Sequence, residues 1–379
     1  MHASHSQQAL PTQHLPNGDD FLMWPPCLQS YGYRIVDKLF ATRVVRRGEA
    51  KPLPRGPEVQ LPVDRFMDHN NVAGLLVVRD GQVVLERYGL GLQPEERWST
   101  MSTVKSMTAM LVGAAVQDGA IASIDDPVVR YLPQLEASAY RHVTVRHLMT
   151  MSSGMHWLEL YGDRDSHVNQ YSRSLAGKVP GGVLQLMQRL ARAEPPGSTW
   201  RYNTGDTYLL GAVICAATRS TLADYLSSRV WQPCGMEFDA YYTLESDGGQ
   251  EIGGSRAGMA LRDIGRFALF VMADGVIDGH RVLPPGWVDA AATPAFALPD
   301  DPQSPQRKAL GVTAYGYSWW LDDDGGMFAL GHCGQRIYIH RSERLAVVQL
   351  AVYPEPHHAS VNEPKRDQAL MRLIGDLRR

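Results

Sequence analysis

The chain has 379 residues, 44% of them hydrophobic and 20% charged, enough to bury a substantial core in one or two lobes. A net charge of −3 and the lack of any Lys/Arg cluster with interleaved aromatics exclude a nucleic-acid binder, and no apolar stretch reaches the length of a membrane span. Cys27, Cys215, Cys234 and Cys333 lack C-x-x-C spacing, which suits free thiols in a reducing compartment better than a disulfide framework or a structural zinc site.

Residues 1–20 are polar and rich in His, Gln and Pro. They read as a disordered lead and not as a secretory signal, so a cytoplasmic location is expected. Residues 21–66, with Trp24-Pro25-Pro26 and a basic, proline-containing stretch from Arg43 to Pro57, read as a wrapping arm. From Val72 to Tyr88 two β runs flank Asp80-Gly81, a hairpin signal. Helical periodicity follows over Ser102 to Gln117, Leu184 to Ala193, Asp206 to Thr218, Leu222 to Trp231 and Leu261 to Ala273. The fourth of these opens on a capping pattern, Thr221 with Asp224 three residues on. Ile337 to Ile339 and Leu345 to Val352 make a second β pair around Arg341-Ser342-Glu343-Arg344, and Leu370, Leu373, Ile374 and Leu377 mark a last helix. Strands at both ends with helices between predict an α+β fold, an antiparallel sheet flanked by helices with a helical lobe inserted. The expected catalytic unit is 67–379, its sheet lobe at about 67–115 and 255–379 and its helical lobe at about 116–254.

Ser102-Thr103-Val104-Lys105 opens the first of those helices. A serine and a lysine three apart lie on one helix face, so the amine can reach the hydroxyl and take its proton. The serine also sits where first-turn N–H groups and the helix dipole favour negative charge on its oxygen or on a developing oxyanion. That is the minimum kit for an acyl-transfer nucleophile.

Further marks follow in order: Asp118-Gly119, Ile124-Asp125-Asp126-Pro127, Tyr131-Leu132-Pro133, and Val143 to Gly154 ending in Met151-Ser152-Ser153-Gly154. Then come Tyr202 seven residues before Leu209-Leu210-Gly211, Trp231-x-Pro233-x-Gly235-Met236, and Gly331-His332-Cys333-Gly334-Gln335 entering a strand. From about Val72 onward the chain resembles the serine hydrolases of the penicillin-recognising, class C β-lactamase-like superfamily. The Trp24-Pro25-Pro26 arm and Gly334-Gln335 before an aromatic strand resemble, within it, the 6-aminohexanoate-dimer hydrolases and related carboxylesterases.

The resemblance implies a β-lactamase/transpeptidase-like αβα sandwich and a serine hydrolase needing neither metal nor cofactor. Ser102 would be the acylated nucleophile, Lys105 its hydrogen-bonded partner and Tyr202 the proton shuttle. A tyrosine beside a buried ammonium has its phenolate favoured and a desolvated lysine tends to lose its proton, so either is expected to be basic near neutral pH. The oxyanion hole would be the backbone N–H of Ser102 and one between His332 and Gln335. The β-lactamase register points to Gln335 and the shorter strand entry of the hydrolase subgroup to His332, which we favour.

Two departures narrow the substrate. Thr204 stands where the β-lactamase Tyr-x-Asn motif has asparagine, and no Lys-Thr-Gly supplies a cation for the carboxylate of a β-lactam. The partner left is a small ester or linear amide. The competing readings are a β-lactamase or D-amino-peptide hydrolase on this scaffold, and a binding or sensor protein, against which the intact Ser102, Lys105 and Tyr202 argue. A homodimer is left open.

Around the site, Tyr161 falls in the polar segment Tyr161 to Ser174, where the resemblance implies a mobile tyrosine loop able to hydrogen-bond a leaving amide nitrogen. Thr204, Trp320 and Cys333 are further candidate substrate contacts, with Trp319-Trp320 walling an apolar acyl pocket. Asp322 to Asp324 read as a solvated turn, and His142 and His147 as helix-end packing, since neither group completes a metal-site pattern.

Overall fold

The computed structural model describes residues 15–299, 305–353 and 363–379. Residues 1–14 of the expected lead fall outside them. Its last residues depart from expectation: Gly18–Met23 is a 3₁₀ helix, with the Asp19 N–H donating to the Asn17 side chain at 3.0 Å and Phe21 buried. An apolar Phe21-Leu22 pair beneath a polar cap is enough to tie this end down.

Six helices and eight strands frame the site. The helices are α1 (Val63–His69), α2 (Val104–Gln117), α3 (His167–Ala176), α4 (Thr204–Thr218), α5 (Leu261–Met272) and α6 (Glu363–Arg378). The strands are β1 (Val72–Arg79), β2 (Gln82–Tyr88), β3 (Phe296–Ala297), β4 (Val312–Tyr315), β5 (Trp320–Asp322), β6 (Gly326–Gly331), β7 (Gln335–His340) and β8 (Leu345–Ala351). They form one antiparallel sheet in the order β2-β1-β8-β7-β6-β5-β4-β3. The N-terminal hairpin and the late strand β8 meet as its second and third strands, where Val77 pairs with Val347.

The hairpin β1–β2 turns on Asp80 and Gly81, both with positive φ (51° and 79°), the backbone that a two-residue turn of this hand requires. Along β1, alternate side chains serve different cores. Leu76 and Val78 pack with Ile264, Phe267 and Val271 of α5, while Leu75 and Val77 pack with Val63 and Met67 of α1 and Leu370 and Ile374 of α6. With both faces covered, the strand is apolar almost throughout, and a one-residue slip would exchange the two cores.

Helix α2 is buried from Val104 to Ala115 and packs against α4, so it is a core helix with no solvent face. A smaller sheet joins the arm to the turn that precedes it: Thr42–Val45 pairs with Ala240–Thr243, Tyr241 with Gly258, and Trp98–Ser99 with Gly258–Met259.

Several stretches differ from the sequence reading: the helix expected over Leu184 to Ala193 spans Gly182–Gln188, and the one over Leu222 to Trp231 turns to a π-helix from Ser227. α4 starts at Thr204, earlier than Asp206, because Asn203 caps it by accepting the Asp206 N–H at 3.2 Å. Part of the segment expected as a loop, His167–Ala176, is α3, capped by Ser166. Strands β4, β5 and β6 were hidden by the paired tryptophans and acid turn between them, and the turn itself is held by the Asp324 and Gly326 N–H groups donating to Asp322.

Candidate active site

Ser102 lies in a 3₁₀ turn, Met101–Thr103, that runs straight into α2. The turn is pinned by the Thr100 N–H donating to Ala257 O at 2.7 Å and by Thr103 Oγ1 donating to Thr100 O at 2.9 Å. Met101 takes a left-handed backbone (φ 46°), a strain that a methionine accepts only where its surroundings impose it. Strand β6 ends against this turn: a Cβ on Gly331 would stand 2.8 Å from Thr100 O.

One helical turn on, Lys105 is 2% exposed. Its ammonium donates to Ser102 Oγ at 3.0 Å, Thr204 Oγ1 at 3.1 Å and Gly254 O at 2.6 Å, so all three N–H directions are used. Burial pulls the amine down to about 8; Glu159 opposes that fall and Arg256 adds to it. The hydroxyl of Thr204 passes the contact on, donating to Glu159 Oε1 at 2.5 Å, and the Thr204 N–H donates to Glu159 Oε2 at 3.2 Å.

The Tyr202 ring centroid is 5.1 Å from Lys105 Nζ. Its phenol does not behave as the sequence suggested. Burial, then Tyr315 and Glu159, drive its pKa well above 10, and the Ser102 hydroxyl pulls the other way. Tyr202 is therefore a neutral phenol, and Lys105 is the group poised to be basic near neutral pH.

The narrow cavity over Ser102 is lined by Ser102, Glu159, Tyr161, Thr204, Arg256 and His332, among others. Tyr161 OH donates to Glu159 Oε1 at 3.0 Å, and its ring lies 5.1 Å from that of His332. His332 Nδ1 and the Tyr33 hydroxyl are 2.8 Å apart, so the N-terminal arm reaches the site. Gln335 is not among the lining residues. It pairs with Gly331 in the ladder, and its side chain binds Trp98 Nε1 at 3.0 Å and the Ala351 backbone.

Trp320 and Cys333 do not line the cavity either. The Trp320 ring lies tilted against Tyr202 at 5.5 Å and edge-on to Tyr315 at 5.1 Å, and Cys333, at φ 56°, donates its thiol to Gln29 Oε1 at 3.0 Å. His147 is a capping group, its Nδ1 accepting the Thr144 N–H at 3.1 Å.

The sequence reading missed Glu159 and Arg256. The available signal was a lone acid between apolar neighbours in Trp157-Leu158-Glu159-Leu160, and a lone arginine between Gly253-Gly254-Ser255 and Ala257-Gly258.

A family model described as Beta-lactamase matches residues 62–370. The chain belongs to the beta-lactamase family. Like other members of that family it is a serine hydrolase by descent, with the mixed helical and antiparallel fold of beta-lactamases and transpeptidases. It is similar to a 6-aminohexanoate-dimer hydrolase of Paenarthrobacter ureafaciens, with 25% identity over 342 residues and 85% of each chain covered. It is also 27% identical to esterase EstB of Burkholderia gladioli over 187 residues, 45% of this chain and 47% of the esterase. A solved structure from Bacillus anthracis, described as a candidate 6-aminohexanoate-dimer hydrolase, has the same fold with a TM-score of 0.80, 98% of each chain covered and 20% identity. No single helix among the described residues of this beta-lactamase-family chain is long and apolar enough to cross a membrane.

Proposed function

We propose that the protein hydrolyses a small ester or linear amide through a covalent acyl-enzyme on Ser102. The observation that carries the reading is the 3.0 Å contact between Lys105 Nζ and Ser102 Oγ, made by an amine whose basicity burial has lowered to near neutral. Neutral Lys105 accepts the Ser102 proton as the oxygen attacks the carbonyl. The oxyanion forms against the backbone N–H of Ser102 and that of His332, which lines the cavity. Tyr202, a neutral phenol beside Lys105 and within reach of the Ser102 hydroxyl, passes the proton to the departing alkoxide or amine and is reprotonated by Lys105. Water then attacks the acyl ester by the reverse route, returning Ser102.

The relatives named as a 6-aminohexanoate-dimer hydrolase and an esterase support a linear amide or ester over a β-lactam. The thiols of Cys27, Cys215 and Cys234, none of them in a disulfide, support a reducing, cytoplasmic setting. The test compares wild type with Ser102→Ala on p-nitrophenyl butyrate, the linear dimer of 6-aminohexanoate and nitrocefin. We expect serine-dependent ester or amide cleavage with little nitrocefin turnover, and a loss of at least about 10³-fold in the variant. Undiminished cleavage by Ser102→Ala would overturn the reading, and dominant nitrocefin turnover would replace the substrate class.

A further inference from the structure

Arg256 stands on the wall of the Ser102 cavity and has no part in the proton transfers above. It is 1% exposed, and no carboxylate among the described residues lies within ion-pair distance of it. Its Nη2 donates to Ser172 Oγ at 2.6 Å, and the guanidinium carbon lies 5.0 Å from the ring centroids of both Phe21 and Phe40. Nε and Nη1 are buried without any hydrogen-bond partner. The neighbouring acid of the cavity, Glu159, cannot serve, because its two oxygens are taken by Trp157 Nε1, the Thr204 N–H and hydroxyl, and the Tyr161 hydroxyl.

A buried cation with two unmet donors and no counter-ion is one of the more expensive arrangements a protein can hold. Here the backbone is strained as well, since Arg256 sits at φ 59°. Burial lowers its pKa only to about 10, so it is charged at neutral pH. Both stresses persist where the site gains from them. Each unpaired nitrogen shares an edge of the guanidinium with Nη2, and Ser172 takes one of the two Nη2 N–H groups, so the other edge is left to offer a carboxylate two charge-assisted hydrogen bonds. The hydroxyls of Tyr171 and Ser255, which also line the cavity, can complete its shell.

We propose that Arg256 binds a carboxylate of the substrate, so that the bond cleaved belongs to an ester or amide carrying a free acid group. The inference rests on the Ser102 hydrolase reading and narrows it. The same backbone segment then holds both ends of the reaction: Gly254 O fixes Lys105, and two residues later Arg256 fixes the substrate. The anchor lies on a different element from the strand where β-lactamases carry Lys-Thr-Gly, which this chain lacks.

The test uses purified full-length protein and matched acid and neutral substrates. One pair puts the charge on the acyl side, mono-4-nitrophenyl adipate against its methyl ester. The other puts it on the leaving side, 4-acetoxybenzoate against methyl 4-acetoxybenzoate. In wild type, kcat/KM for the acid is expected to exceed that for the neutral ester at least about tenfold in one pair, mainly through KM. That ratio should fall toward one in Arg256→Gln and recover partly in Arg256→Lys. Should the variants fail to fold, wild type alone decides: hexanoate must inhibit neutral-ester cleavage at least about tenfold more strongly than hexanamide. A wild-type ratio near one in both pairs, equal inhibition by the two probes, or an unchanged ratio in Arg256→Gln would overturn the anchor and make Arg256 a structural wedge under Phe21 and Phe40. Loss of all ester cleavage in Ser102→Ala, measured alongside, shows that the underlying reading stands even if the anchor falls.

Discussion

Glu159 and Lys105 are joined through one hydroxyl: Thr204 Oγ1 donates to the carboxylate at 2.5 Å and lies 3.1 Å from the ammonium, from which it accepts. The negative charge of Glu159 favours protonated Lys105 and so holds the amine's pKa up against burial. Glu159→Gln keeps the shape and removes that charge. The alkaline-rising limb of kcat/KM is expected to move to lower pH in this variant, and a limb that stays put or moves upward would show that the relay does not tune the lysine.

The limb itself has a predicted position. With Lys105 at about 8, about a tenth of it is neutral at pH 7. If neutral lysine is the base, kcat/KM should rise about tenfold per pH unit below that value and level off above it. Lys105→Ala should lose at least about 10³-fold and lose the limb. A flat profile from pH 6 to 9 in wild type would assign the base elsewhere.

What the sequence could carry here is what is local. Ser102 and Lys105 are three residues apart on one helix, so their meeting is dictated by helical geometry alone. Tyr202 arrives from a turn about a hundred residues away, and only motif order put it in the same site. The direction of its titration depends on burial and on the charges of Tyr315 and Glu159, none of which spacing can reveal, so the expected phenolate was the wrong sign. Glu159 and Arg256 stayed invisible because each is a single charge whose meaning lies in what surrounds it. Trp320 looked like a pocket wall because a tryptophan pair is apolar, but its strand position sets it against Tyr202.

Asp206 links stability to pH. It is fully buried beside the site, with Oδ1 accepting from Tyr140 OH at 2.7 Å and Asn203 Nδ2 at 3.0 Å and Oδ2 unpartnered. Burial raises it from 3.8 to about 7, against the pull of Ser153 and Tyr140. Between those values the folded state keeps a proton that the unfolded chain has released, so this group's contribution is complete below about pH 4 and is lost as pH rises to about 7. The loss is on the order of a few kcal/mol. Asp206→Asn mimics the protonated acid and should flatten the fall in urea-unfolding free energy from pH 5 to 8, whereas parallel curves would refute the assignment.

The pair Arg336–Asp367 ties α6 to strand β7. Nε meets Oδ1 and Nη2 meets Oδ2, each at 3.0 Å, with side chains 3% and 0% exposed. Arg336 Nη1 also donates to Gly331 O at 2.7 Å, where β6 meets the serine turn. Asp367→Ala strands a buried guanidinium and should cost about 3–5 kcal/mol in chemical denaturation, while Arg336→Met with Asp367→Leu should recover most of it. Equal destabilisation by the single and double variants would mean that packing, and not charge, holds the joint.

The long-range pairing of Val77 with Val347 has a consequence in time. During synthesis β1 waits with one edge open until Leu345–Ala351 pairs along it. An apolar strand of eight residues with unsatisfied N–H and C=O groups is a template for foreign strands. The nascent chain therefore carries an aggregation-prone edge through most of its translation, and a chain cut short before residue 345 would keep it.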